Sequence, residues 1–233
     1  MPTPALILPP FLPNLYDLAV MFNGNPVIVA DHQRFSRKSR VHRGRIRTPD
    51  GESQWLTLPI PSDERRSPLH SVTIADTSGS GEWIKQLTYC YSNAPYFDFL
   101  IEELKADLSE AEQFSLLTDV TGYIFSRLAR YLELPEISMT KASQMKEWDD
   151  NPDQLARNLN ASEVYQEHRS RHYLRQAECR TDPDVHIPEY RQTGTGFVPW
   201  CCLFDLLFEY GPEAFRITDL LFEKTGGQEV LKN

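Results

Sequence analysis

Two short apolar runs flank one helix-spaced segment at the start of the chain, and this limits the fold more than any other feature. Ala5-Leu-Ile-Leu8 is stopped by Pro9-Pro10, which suits a buried strand. Asn14 is a fair N-cap, Leu15, Leu18, Ala19 and Phe22 follow at helical spacing, and Gly24 can end the helix. Val27 to Ala30 reads as the next strand. Strand, helix and strand in that order predict a right-handed βαβ unit with a parallel pair. Pro9 and Asp31 then lie just past the carboxyl ends of their strands, the edge at which open α/β sheets bind ligands.

The remaining pattern extends this class. Trp55 to Ile60 and Ser71 to Ala75 predict two strands, and pairing them antiparallel across the polar turn Ser62 to Ser67 would make the sheet mixed. Helical spacing takes over at Ile84, Leu87, Thr88 and Tyr91, and again at Leu100, Ile101, Leu104 and Leu108 after Pro95. Ser109 with Glu112 has the form of a capping box, and Phe114 to Tyr131 continue a helical face. Glu136 to Thr140 and Ser162 to Gln166 read as strands, and Asn151-Pro152 as a helix start. Val185 to Tyr190 reads as an edge strand because it contains Pro188. Helices over Leu203 to Tyr210 and from Ile217 to Lys224 close the chain. The expected fold is α/β: an open, mostly parallel or mixed sheet with helices packed on its faces and a helix-rich middle section. One domain is expected over residues 1–233, with a helical layer at about 82–134.

A chain of 233 residues can bury a substantial core, and 40% hydrophobic with 24% charged residues is ordinary for a globular protein. The net charge of -9 argues against nucleic acid or a membrane surface as partner, since both need a broad basic face. No apolar stretch approaches the roughly 20 residues that span a bilayer. The opening MPTPALILPP lacks the basic start of a signal peptide, so a cytoplasmic location is expected. The 4 cysteines form no CxxC pair, and Cys201-Cys202 sits in an apolar helical run that suits buried thiols. Neither a metal nor a cofactor is expected, and the oligomeric state stays open.

Against that acidic background one stretch is strongly basic. Between His32 and Pro49 there is no acidic residue, while Arg34, Arg37, Lys38, Arg40, Arg43, Arg45 and Arg47 are all cationic. Arginine forks match phosphate and carboxylate geometry, and lysine adds a point charge. His32, Arg34, Lys38, Arg43 and Arg45 are therefore expected to bind an anionic small molecule. Asp31, at the strand end, is a candidate to orient an arginine, bind a sugar hydroxyl or take a proton. A second polar run, Glu167-His-Arg-Ser-Arg-His172, follows a strand and would reach the same edge. There Glu167 and His168 are candidate acid–base groups, with Ser170 and Tyr173 as substrate contacts. His168 and His172 lie four apart, but no third ligand is identifiable for a metal. Tyr190 and Gln192 alternate on an extended segment and can face one pocket. Asp205 lies inside an apolar helix, where it needs a partner. Walker A, GxGxxG, GxSxG and HExxH patterns are all absent.

Taken in order, several short pieces resemble the WbqC-like protein family. They are Pro9-Pro-Phe-Leu-Pro13; Asp31, Phe35, Ser36, Lys38, Arg43 and Ile46; Trp55-Leu-Thr with Pro59; Tyr173-Leu174; and Tyr190, Gln192, Phe197, Pro199, Asp205 and Gly211. The chain departs from the family pattern at Leu8, Arg40, His42, Glu167 and Cys202. The resemblance implies surface-polysaccharide (O-antigen) or related biosynthesis, and a transferase moving an acyl or aminoacyl group onto a nucleotide-sugar or other phosphorylated acceptor. The alternative is a non-catalytic binding or scaffold protein that recognises an anionic ligand through residues 34–47. Alanine at Arg43 and Arg45 is expected to abolish binding of such a ligand.

Overall fold

The structure, a computed structural model, describes residues 3–75, 80–166, 178–181, 184 and 186–222. The expected βαβ unit forms its centre. β1 (Ala5–Ile7) leads through α1 (Leu15–Asn23) to β2 (Val27–Val29), and the strands pair in parallel with Ala5 opposite Val27. The helix starts where the sequence marks it. The Asn14 side chain accepts from the Tyr16 and Asp17 amides, and the Asp17 carboxylate accepts from the Asn14 amide at 2.8 Å. Arg40 donates twice to that same carboxylate, at 2.7 and 2.8 Å, so one arginine of the basic stretch secures a helix start.

Gly24 ends α1 in contact with β1. A Cβ there would lie 2.2 Å from Ala5 Cβ and 2.9 Å from the Ala5 amide nitrogen, so backbone has to shift to admit it. Gly24→Ala is therefore expected to lose about 1–3 kcal/mol, like other overpacked sites. A drop of several degrees in the midpoint of thermal unfolding would register it, and an unchanged midpoint would refute it.

The sheet has the order β5 (Met139–Lys141), β2, β1, β6 (Val164–Gln166), β7 (Arg180–Thr181), and every neighbouring pair is parallel. This is an open α/β sheet, as expected. A helical layer follows the first strands: α2 (Ser80–Tyr91), α3 (Phe97–Ala111) and α4 (Leu117–Tyr131), then α5 (Pro152–Asn158). α6 (Leu203–Tyr210) packs on α3 and α4, with Phe208 against Tyr91 and Phe97 at ring separations of 5.2 and 5.1 Å. Such aromatic pairs add about 0.5–1.5 kcal/mol each beyond area burial. No helix among the described residues is long and apolar enough to cross a membrane.

Several expected elements are corrected. The strand around Trp55 does not pair with Ser71–Ala75. It is β4 (Ser53–Thr57), and its antiparallel partner is β3 (Arg43–Arg47), inside the basic stretch. The turn between them is closed by Pro49-Asp-Gly51, with Gly51 at φ +83° and the Thr48 amide donating to the Glu52 carbonyl. Residues 71–75 supply only a bridge, Thr73 to Leu116. Ser109 and Glu112 do not cap a helix start, because the apolar face of α3 runs on through Leu108 and Ala111. Glu112 accepts instead from the Ser80 amide at the start of α2. Residues 186–190 form no strand; Tyr190 turns inward to bond Asp205. The last helix is a short α7 (Phe215–Thr218) followed by one turn to Leu221, and Lys224 lies outside the described residues.

Candidate functional site

The site grows from the carboxyl end of β2. Asp31 follows that strand and is fully buried. Its carboxylate accepts from the Ser143 amide at 2.9 Å and the Ser143 hydroxyl at 2.6 Å. Ser143 lies in the short turn Ala142–Gln144 after β5, so Asp31 latches two neighbouring strand ends together. The Asp31 carbonyl also accepts from the His70 amide at 2.8 Å.

Beyond Asp31 the chain runs beside residues 65–69. The Phe35 amide donates to the Ser67 carbonyl at 2.8 Å, and the Leu69 amide to the Gln33 carbonyl at 2.8 Å. Buried Phe35, edge-on to His42 at 5.2 Å, anchors this wall. Burial and the charges of Arg43 and Arg37 push His42 down to about 4, so it packs as a neutral ring.

Between the two segments lies an open cleft of about 1020 Å³. Arg34, Arg37, Lys38, Arg65 and Arg66 line it, and among the described residues Asp150 is the only carboxylate in its lining. Glu64, beside Arg65 in sequence, is turned away to accept from the Thr73 amide. Arg34 donates to the Arg66 carbonyl at 3.2 Å, and Arg66 itself holds φ at +77°. A left-handed backbone costs a non-glycine residue about 1–2 kcal/mol. That strain falls on a residue lining the cleft, where held strain is often functional.

His32 forms one corner. Its ring sits 4.0 Å from the Trp148 ring, and its Nε2 lies 3.3 Å from Asp150 and also meets the Gln33 amide group. Trp148 donates to the same Asp150 carboxylate at 3.1 Å. Burial pushes the His32 pKa down, with Asp150 and Asp31 opposing, so the imidazole is neutral at pH 7.

Among the described candidates, His32, Arg34 and Lys38 line one cleft. Arg43 and Arg45 lie on the outer face of the β3–β4 ribbon, 4.4 and 5.5 Å from the Trp55 ring centroid. Neither lines the cleft, though Arg43 donates to the Lys38 carbonyl at 3.0 Å. Tyr190 and Gln192 share a buried partner, each donating to Asp205, at 2.7 and 2.8 Å. Arg47 lies within 3.5 Å of Asp205 and 3.0 Å of Glu209, and the Thr193 amide donates to Glu209 at 2.6 Å. This cluster is a core ion network away from the cleft. Glu167, His168, Ser170, His172 and Tyr173 lie outside the described residues.

Arg65, Arg66 and Asp150 complete the cleft but were not among the expected site residues. The only signal for the first two is an arginine pair inside a segment that otherwise reads as a turn. Cys201 and Cys202 are buried free thiols, and burial pushes both pKa values up, that of Cys202 to about 12. Among the described residues, no group of three or more His, Cys, Asp and Glu is placed to hold a metal.

Comparison with curated proteins and with solved structures gave no match. The model of the WbqC-like protein family matches residues 9–217 of the 233. That span takes in α1 and β2, both walls of the cleft and the core ion network, and by it the chain belongs to the WbqC-like protein family.

Proposed function

We propose that the chain is a transferase of surface-polysaccharide or related biosynthesis, moving an acyl or aminoacyl group onto an acceptor whose phosphates occupy the basic cleft. A nucleotide-sugar is the acceptor class that suits it. The observation carrying this reading is the convergence of Arg34, Arg37, Lys38, Arg65 and Arg66 on one cavity of about 1020 Å³. That space accommodates a molecule of nucleotide-sugar size, and arginine forks pair with phosphate oxygens. In the transfer step an amine or hydroxyl of the acceptor attacks the donor's carbonyl carbon. A new N–C or O–C bond forms, the nucleophile's proton goes to a base, and the leaving group departs with its bonding electrons. Asp31 has its carboxylate engaged by Ser143. We assign the base role to neutral His32, which borders the cleft.

Titration calorimetry with UDP-glucose and with inorganic pyrophosphate tests this. The double variant Arg65→Ala/Arg66→Ala is expected to weaken both by about tenfold or more, and added salt to weaken them further. Arg43→Ala/Arg45→Ala is expected to retain binding. Equal affinities in wild type and the Arg65/Arg66 variant would remove the cleft from consideration. His32→Gln is expected to bind normally and lose turnover.

A further inference from the structure

The carboxyl-end row of the sheet carries a second opening. Ile7, Val29 and Lys141 stand opposite one another across β1, β2 and β5, so their side chains share one face. Met139, two residues before Lys141, lies on that face too. α4 covers it with Thr118, Thr121, Gly122 and Phe125, the i, i+3, i+4 and i+7 positions of one stripe. With Met21 of α1 these line a half-open pocket of about 220 Å³.

Gly122 leaves open space on the α4 side of the pocket. A Cβ at this position would meet nothing within 4 Å. Glycine inside a helix is less stable than alanine, and packing here does not demand it. The interior is apolar. Thr121 turns its hydroxyl to the Thr118 carbonyl, and Lys141 is paired with Asp119 at 3.2 Å. An apolar pocket of this size gains by exchanging water for hydrocarbon, here a chain of roughly four to six carbons.

The cavity and the basic cleft share the end of β2. Val29 lines the first and His32 the second. Their Cα atoms are at most about 11 Å apart, the reach of three extended residues. We infer that the cavity receives the aliphatic chain of a short acyl group once it is joined to the phosphorylated acceptor, then its carrier, in the basic cleft. The carrier half of this assignment rests on the cleft's proposed role; the chain half stands on the cavity alone.

The test uses the full chain with its methionine methyl groups labelled with carbon-13. Met21 and Met139 line the cavity, and Met145 does not. Titration with n-hexanol is expected to shift the Met21 and Met139 signals, leave Met145 unmoved, and do neither in Gly122→Leu. Unmoved Met21 and Met139 signals in wild type, or shifts that persist in a folded Gly122→Leu variant, would overturn the assignment. Should that variant not fold, Val29→Phe narrows the same cavity from the sheet side and carries the same expectation. Hexyl phosphate is expected to bind about tenfold more tightly than inorganic phosphate, with the excess lost on filling the cavity. Equal affinities would break the link between the two sites. Pyrophosphate separates the failures: if it binds while hexanol does not, only the cavity assignment falls. If hexanol binds while pyrophosphate does not, the role of the cleft falls and the carrier half with it.

Discussion

Replacing Arg47 with methionine is expected to lower stability by about 3–5 kcal/mol, because it strands two buried carboxylates. Arg47 ends β3, and its side chain is 2% exposed. It lies between Asp205 and Glu209, one turn apart on α6, whose side chains are 0 and 1% exposed. Glu209 keeps the Thr193 amide and hydroxyl as donors, and Asp205 keeps Tyr190 and Gln192. Those donors soften the loss but supply no charge. The pH dependence has a definite sign. Burial raises the Asp205 pKa above its ordinary 3.8, so the folded chain holds a proton that the unfolded chain releases. That contribution is complete below about pH 4 and fades as pH rises through the raised value. Removing Arg47 removes a charge that opposes the rise, so the deficit of Arg47→Met is expected to widen from pH 5 to pH 8. Adding Asp205→Asn is expected to recover part of the loss and flatten that trend. Urea midpoints at the two pH values measure both effects. A loss below about 1 kcal/mol, or a deficit independent of pH, would show that the arginine is not neutralising the pair.

The same arginine shows what the sequence can and cannot tell. β1, α1 and β2 are legible because their signals are local: apolar runs, a cap three residues from its partner, a glycine at the helix end. The basic stretch is legible as charge but not as assignment. Its cations divide three ways, and the dividing partners are distant in sequence. Arg34, Arg37 and Lys38 face the cleft; Arg43 and Arg45 stack on Trp55; Arg40 and Arg47 pair with Asp17 and Asp205 or Glu209. Glu209 lies 162 residues beyond Arg47, and nothing in the local pattern of β3 announces it. In β3 the alternation of inward Gly44 and Ile46 with arginines is present, but the density of charge masks it as a strand signal. The cleft's opposite wall, Arg65 and Arg66, is hidden for a related reason. A polar hexamer between apolar runs looks like a turn until its neighbour in space is known. The Ser109–Glu112 pattern fails in the other direction, because the burial of α3 extends through it and outweighs the local capping signal.

Asp31→Ala is expected to cost about 3–4 kcal/mol, and so to act first on the fold rather than on any proton. Its carboxylate accepts twice from Ser143, and a hydrogen bond to a charged group contributes about 1.5–3 kcal/mol. Truncation leaves the Ser143 amide and hydroxyl facing a void at the junction of β2 and β5. Asp31→Asn preserves the shape and an acceptor for the amide, and the serine hydroxyl can rotate to accept, so its cost is expected near 1 kcal/mol. Ser143→Ala should reproduce part of the alanine loss, and a double-mutant cycle between the two positions should show coupling of about 1–2 kcal/mol. A group whose main task is proton transfer behaves otherwise: Asn at that position leaves stability unchanged, couples to nothing at Ser143, and removes turnover. Chemical denaturation of the four proteins in the cycle therefore separates the roles without knowledge of the substrate. The latch also bears on the cleft, since the Asp31 carbonyl receives the His70 amide where the two walls meet and His32 follows directly. Weaker pyrophosphate binding in Asp31→Ala, beyond what Asp31→Asn shows, would trace the geometry of the arginine cluster back to this one buried contact.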